Sequence, residues 1–124
     1  MKFREFETSS GKKVLAGKDA KTNEELINQV GKDEVVLHTA KPGSPFVNIK
    51  GKANKKDIKE AAIICASKSQ DWRDNKSDVM VNVFTGKDVS KQKGMKEGTW
   101  KVAKSKTKMI KKRKIEKFLK EKKE

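Results

Sequence analysis

The 124-residue chain carries 32 Lys and Arg against 17 Asp and Glu, a formal net charge of +15, and its length fits one ordinary domain. Hydrophobic residues make up 33% and charged residues 40%, but the apolar ones fall in short periodic clusters, which argues for a folded core under a basic surface and against wholesale disorder. The longest apolar run is the six residues 61–66, and the opening Met1-Lys2-Phe3-Arg4-Glu5 lacks the apolar stretch of an export signal, so no membrane insertion is expected. One cysteine, Cys65, and one histidine, His38, cannot form an internal disulfide or a structural zinc site. The expectation is a cytoplasmic protein without metal or other cofactor.

Residues 2–7 and 12–16 flank Ser9-Ser10-Gly11 and predict a hairpin. From Asp19 the pattern turns helical. Thr22 and Glu25 read as a capping box, and Leu26, Ile27 and Val30 follow at helical spacing until Gly31 closes the first helix. Glu34–His38 reads as a buried strand, residues 40–45 as a turn holding both prolines, and Phe46–Ile49 as a returning strand. Ile58, Ala61, Ala62, Cys65, Ala66 and Ser69 form one small, apolar helical face, fit for close packing on a sheet. Residues 70–78 read as a polar connection. Val79, Val81 and Val83 then alternate with Met80, Asn82 and Phe84 as a strand, and residues 86–98 form a Gly- and Lys-rich loop. Short strands are expected at 99–102 and 107–110, and Ile115, Phe118 and Leu119 mark an amphipathic helix. The sum is an α+β single domain: a mainly antiparallel sheet of five to seven strands, two packed helices, and a basic C-terminal helix or tail. Residues 1–110 form the domain and 111–124 the lysine-rich appendage.

Of the 32 basic residues only Arg4, Arg73 and Arg113 are arginine. Lysine is a flexible point charge suited to phosphate, so its dominance points to a polyanion recognised through its backbone and not through base edges. Residues 101–124 hold 12 Lys and Arg against three Glu; that excess reads as a solvated end or as a nucleic-acid-binding tail.

Catalytic patterns fare poorly. Five residues separate Gly11 from Gly17, and Asp19 stands where a phosphate loop needs Ser or Thr after the lysine. Five of the eight glycines do precede lysine, a pairing that can bind phosphate at turns. Cys65 lies on the apolar helix face, as an inert core thiol would. His38 ends a hydrophobic strand, where it is either structural or the single acid–base candidate. Trp72 beside Arg73 either stacks on a base or packs on the helix end.

In order along the chain, Gly17-Lys18-Asp19 with Asn23-Glu24-Glu25-Leu26-Ile27, Leu37-His38, and the Pro42-Gly43-Ser44 turn resemble the NFACT RNA-binding domain, also called NFACT-R. Glu60-Ala61-Ala62 leading to Ser69, Trp72 and Arg73, and Val89-Ser90-Lys91 leading to Gly94 and Gly98, extend the likeness from about Phe3 to about Ile110. Departures occur at Val36, where an aromatic is usual, at Pro45, often histidine, and at Gln92 and Glu97, often proline. In the family this domain ends larger ribosome quality-control factors of the RqcH kind, which engage the large ribosomal subunit and transfer RNA. The resemblance implies a stand-alone form without the other domains, and without their tail-elongating activity. It also implies that Lys18, Asn23, His38, Gly43, Ser44 and Lys91 line a common face. Lys41, Arg73, Lys87 and Lys93, with Lys112, Arg113 and Lys114 of the tail, complete the expected RNA contacts. The expected function is binding of structured ribosomal or transfer RNA through lysine–phosphate contacts, linked to ribosome-associated quality control. Expected partners are that RNA, the large ribosomal subunit, and a separate protein supplying the missing domains. The alternatives are an RNA- or nucleotide-processing enzyme using His38, and a non-specific binder of DNA or anionic surfaces driven by the tail.

Overall fold

Alternating apolar residues build one six-stranded antiparallel sheet with two unlike faces. The computed structural model describes residues 2–122. The elements are β1 (Arg4–Glu7), β2 (Lys13–Ala16), α1 (Ala20–Asn28), β3 (Val35–Thr39), β4 (Val47–Ile49), α2 (Lys55–Ser67), α3 (Gln70–Asn75), β5 (Val79–Thr85), a 3-10 turn at Gly86–Asp88, β6 (Val89–Ser90), β7 (Lys101–Val102), β8 (Lys106–Ile110) and α4 (Lys112–Lys122). The sheet order is β1-β2-β4-β3-β5-β8, and β6 and β7 pair separately as a short ribbon. The fold is α+β as expected, and every strand pair is antiparallel.

One face is sealed by helices. Val14, Ala16, Leu37, Val47, Ile49, Val79 and Val81 meet Ala61, Ala62, Cys65 and Ala66 of α2, all buried. The alanines bring the α2 backbone close to the strands, as their small volume predicts. Burial pushes the Cys65 thiol up to about 12, an inert thiol in the core. On this same face α4 lies beside α2 and inserts Ile115, which is fully buried, with Phe118 and Leu119 packed behind it. The opposite face is covered by α1 and the ribbon, through Leu15, Leu26, Ile27, Val36, Phe46 and Phe84 with Trp100 and Val102 against them.

Two expectations need correction, and one open alternative is decided. The α1 cap is Asp19, whose carboxylate accepts the Thr22 N–H at 2.9 Å while Thr22 Oγ1 accepts the Asp19 N–H; Glu25 takes no part in a capping box led by Thr22. A shifted box arises because Asp and Thr both cap well, and Thr22 is needed inside the first turn, where it is buried. The polar stretch after residue 69 contains α3, a six-residue helix capped by Ser69, too short to display a period. Its Trp72 is 4% exposed within the helical-face core, so it packs and does not stack on a base.

Helix α1 is pinned to the sheet at both ends. Phe46 N donates to Asn23 Oδ1 at 3.0 Å near its start, and at its end Gln29 Nε2 donates to the buried Asn48 Oδ1 at 2.9 Å. A β-carbon on Gly17 would fall 1.9 Å from Asn23 Oδ1, so glycine is required for that approach. The hairpin is tied to α2 in turn, since Ser9 and Ser10 donate to Glu60 and to the buried Asp57.

Because Ile115 fills space that no other residue occupies, Ile115→Ala is expected to cost about 2–5 kcal/mol of stability by chemical denaturation, far above the effect of a surface position. A change within about 0.5 kcal/mol would mean that α4 is not packed.

Candidate nucleic-acid interface

Where the thinly covered face meets the loops, an open cleft of about 780 Å³ forms. Its floor is the sheet itself. His38 of β3 stands opposite Asn82 of β5, and Asn82 stands opposite Thr107 of β8, whose hydroxyl donates to Asn82 Oδ1 at 2.9 Å. The turn 40–45, the start of α1 and residues 97–100 wall it in.

His38 is oriented from two sides. Its Nδ1 lies 2.8 Å from the Thr39 carbonyl, which fixes the proton there and leaves Nε2 as an acceptor. Its ring lies 4.5 Å from that of Phe46, tilted by 35°. Burial pushes the imidazole pKa below its usual 6.5 and outweighs the Thr39 carbonyl, which acts upward. The ring is neutral at pH 7.

The rim is cationic. Arg4, Lys68 and Arg73 all border the cleft, and among the described residues none of the three has a carboxylate within ion-pair distance. Arg4 Nη1 donates to the Gly17 carbonyl, Arg73 donates to the Lys68 carbonyl and to Gln70 Oε1, and the Lys68 ammonium lies 6.0 Å over the Phe6 ring. Burial, then repulsion from Arg4, lowers the Lys68 pKa. Asp19 and Glu97 also line the cleft, but three cations gathered without an ion-pair partner still make a site that an anion relieves.

The turn wall is shaped by Gly43 and Ser44. Gly43 sits at φ +91°, and a β-carbon there would meet Gln70 Cβ at 2.7 Å. Ser44 Oγ accepts the Thr39 N–H at 3.0 Å and donates to the Pro45 carbonyl, so its hydrogen bonds close the turn. Lys41 anchors the same turn from outside, 3.6 Å from the buried Asp71.

The loop wall is held by one carboxylate. Glu24 of α1 accepts from Lys91 Nζ at 2.8 Å and from Gly98 N at 2.7 Å. Burial pushes the Glu24 carboxyl up, but these partners together hold it below its ordinary range. Lys91 Nζ also donates to the Lys96 and Thr99 carbonyls and sits 4.5 Å over the Trp100 ring. Lys91 is therefore the internal clasp of the 91–100 loop.

The expected contacts thus divide. Lys18, Asn23, His38, Gly43, Ser44 and Arg73 converge on the cleft, although Asn23 and Ser44 are spent on structural bonds. Lys91 and Lys93 belong to the loop behind its wall, and Lys87 lies at the far end of the sheet, its N–H on the Lys32 carbonyl. Lys112, Arg113 and Lys114 are exposed on α4, which packs against the other face. Arg4, Lys68, Asn82 and Trp100 escaped sequence reasoning because strand register and chain crossings, not local motifs, bring them to the cleft. Among the described residues no cluster of three or more His, Cys, Asp or Glu is placed to hold a metal ion, and no helix is long and apolar enough to cross a membrane.

The profile of the family described as the NFACT protein RNA binding domain matches residues 2–104. The chain belongs to that family. It is also 39% identical, over 64 residues, to the archaeal Rqc2 homolog aRqcH of Methanocaldococcus jannaschii, an alignment covering 48% of this chain and 10% of that protein. Among solved structures it superposes on the C-terminal part of the fibronectin/fibrinogen-binding protein of Streptococcus suis with a TM-score of 0.81 and 23% identity, covering 94% of this chain and 49% of that one. That likeness concerns the fold. The chain spans about a tenth of the length of the curated relative and about half of the solved one.

Two outcomes follow from the geometry. His38 binds a proton less readily folded than unfolded, so its contribution to stability is full above about pH 6.5 and is lost as pH falls through the depressed folded value. Denaturation midpoints should therefore fall between pH 7 and pH 5 in the natural chain and stay flat in His38→Gln; the carboxylates held low, such as Glu24, lose their effect only below about 4.5. Lys91→Met should cost about 1–3 kcal/mol, because it strands Glu24 and two carbonyls. It should also open residues 92–99 to limited proteolysis, and an unaltered cleavage pattern would contradict the clasp.

Proposed function

We propose that this chain is an RNA-binding module acting in ribosome-associated quality control, gripping phosphates of structured RNA at the rim of the His38 cleft. One observation carries the reading: in a chain belonging to an RNA binding domain family, Arg4, Lys18, Lys68 and Arg73 border a concave site that holds two acids, Asp19 and Glu97, and among the described residues neither acid is ion-paired to Arg4, Lys68 or Arg73. Lys18 stands at the start of α1, and Lys41 adds a fifth cation beside the turn. The kinship with an Rqc2 homolog supports the quality-control setting, and by the same token ribosomal or transfer RNA as the target, the large subunit as the platform and a separate protein as the source of further domains. Lys87, Lys93 and the α4 residues Lys112, Arg113 and Lys114 serve as outlying phosphate contacts that raise affinity without choosing the RNA.

Truncating α4 is the wrong test of its lysines, because Ile115 would leave the core with them. Charge removal at exposed positions is cleaner. Binding of a labelled transfer RNA, followed by anisotropy from low to physiological salt, should show log K falling linearly with log salt. Arg4→Ala, Lys68→Ala and Arg73→Ala should each lower the magnitude of that slope by about one. Replacing Lys112, Arg113 and Lys114 by Gln should weaken binding while the RNA remains preferred over DNA of the same length. A flat salt dependence, or no binding, would sink the proposal.

A further inference from the structure

We infer that the cleft receives a single unstacked nucleotide, its base against the His38–Asn82 floor and its phosphate on the Arg4–Lys68–Arg73 rim. This rests on the RNA-binding reading above and names the part of the RNA that the site selects.

The polar groups of the cleft are under-used in a pattern that suits a base edge. His38 Nε2 is left as an acceptor once Nδ1 is spent on Thr39. Asn82 accepts from Thr107 through Oδ1, which leaves its amide N–H groups to donate. Trp100 borders the same cleft, and its indole Nε1 is buried without a hydrogen-bond partner among the described residues. A buried donor left unpaired costs about 1–3 kcal/mol, and native chains carry few of them. One acceptor and two donors around a floor of Phe46 and Phe84 offer the hydrogen bonding and flat apolar contact that a base needs.

Shape argues against a helix in this position. The floor lies on the sheet, beneath walls formed by the 40–45 turn and the 97–100 segment. In A-form RNA the major groove is too narrow for side chains, and base edges in the minor groove are fixed in their stack. A nucleotide swung out of a loop or bulge reaches a recessed floor; a paired one does not. The cleft, at about 780 Å³, is within the range of small-molecule sites, about 300–1,000 Å³. Meanwhile the rim cations are equally available to the phosphates of paired and unpaired RNA, so they set affinity and the floor sets choice.

The test compares two RNAs of equal length and composition at one salt concentration: a hairpin with an unpaired loop and a blunt duplex. By fluorescence anisotropy the natural chain should bind the hairpin about tenfold more tightly. His38→Ala and Asn82→Ala should bring the hairpin down toward the duplex level; Asn82→Ala is the variant that spares the fold, since among the described residues its side chain makes only the Thr107 bond. Equal affinities for hairpin and duplex in the natural chain, or a preference that survives both substitutions, would overturn the inference while leaving RNA binding in place. If neither RNA binds, both this inference and the RNA-binding reading fall.

Discussion

The site exists because the sheet is wider than what covers one of its faces. Six strands at about 4.8 Å spacing span roughly 24 Å, whereas a single helix covers about 10–12 Å. On one face α2, α3 and α4 together cover the apolar residues of the central strands, from Val14 and Ile49 to Val79, Val81 and Ile110. On the other, α1 covers β2, β4 and β3, and only the two-residue strands of the ribbon extend the cover further. What remains bare is the run across β3, β5 and β8. There His38, Asn82 and Thr107 replace the valines and leucines found on covered stretches, and Met80 and Met109 beside them are the large exposed hydrophobics, 39% and 52% accessible.

Charge follows from the same economy of acids. Several of the 17 carboxylates are placed at structural joints: Asp19 caps α1, Asp57 returns the α2 cap and holds the hairpin, Glu34 gathers Lys50 with two backbone N–H groups, and Asp88 caps the 3-10 turn. Glu24 and Asp71 hold the two walls of the cleft. Acids tied into joints lie where backbone amides already need them, so they do little to neutralise the outward cations. A net charge of +15 therefore becomes a surface field and not a set of internal ion pairs.

Legibility in the sequence tracked locality. Period-two valines in β5 and the alanine face of α2 declare themselves because each is decided by neighbours along one element. The ribbon was harder, since Val89–Ser90 and Lys101–Val102 are two residues each and gain their pairing from a loop clasped by Lys91. Lys91 is the instructive case. The family resemblance offers it as an RNA contact, and a partner 67 positions away also makes it a clasp. Conversely Lys68 belongs to no sequence motif, and only the α2–α3 corner sets it beside Arg4. His38, Gly43 and Arg73 were readable as a group because the family pattern already encodes which distant segments meet.

The packing of α4 changes what the lysine-rich end can do. A disordered tail would sweep around the domain and add charge to any bound polyanion. Anchored by Ile115, its cations are instead presented by a fixed helix on the face opposite the cleft. The helix layer and the sheet lie between the two basic surfaces, and packed layers are about 10 Å apart, so no single phosphate group can bridge them. A ligand engaging both must curve around the domain edge, as a folded RNA or a ribosomal surface can and a short oligonucleotide cannot. Affinity drawn from α4 therefore depends on the size and curvature of the RNA, while recognition in the cleft depends on a nucleotide freed from its stack.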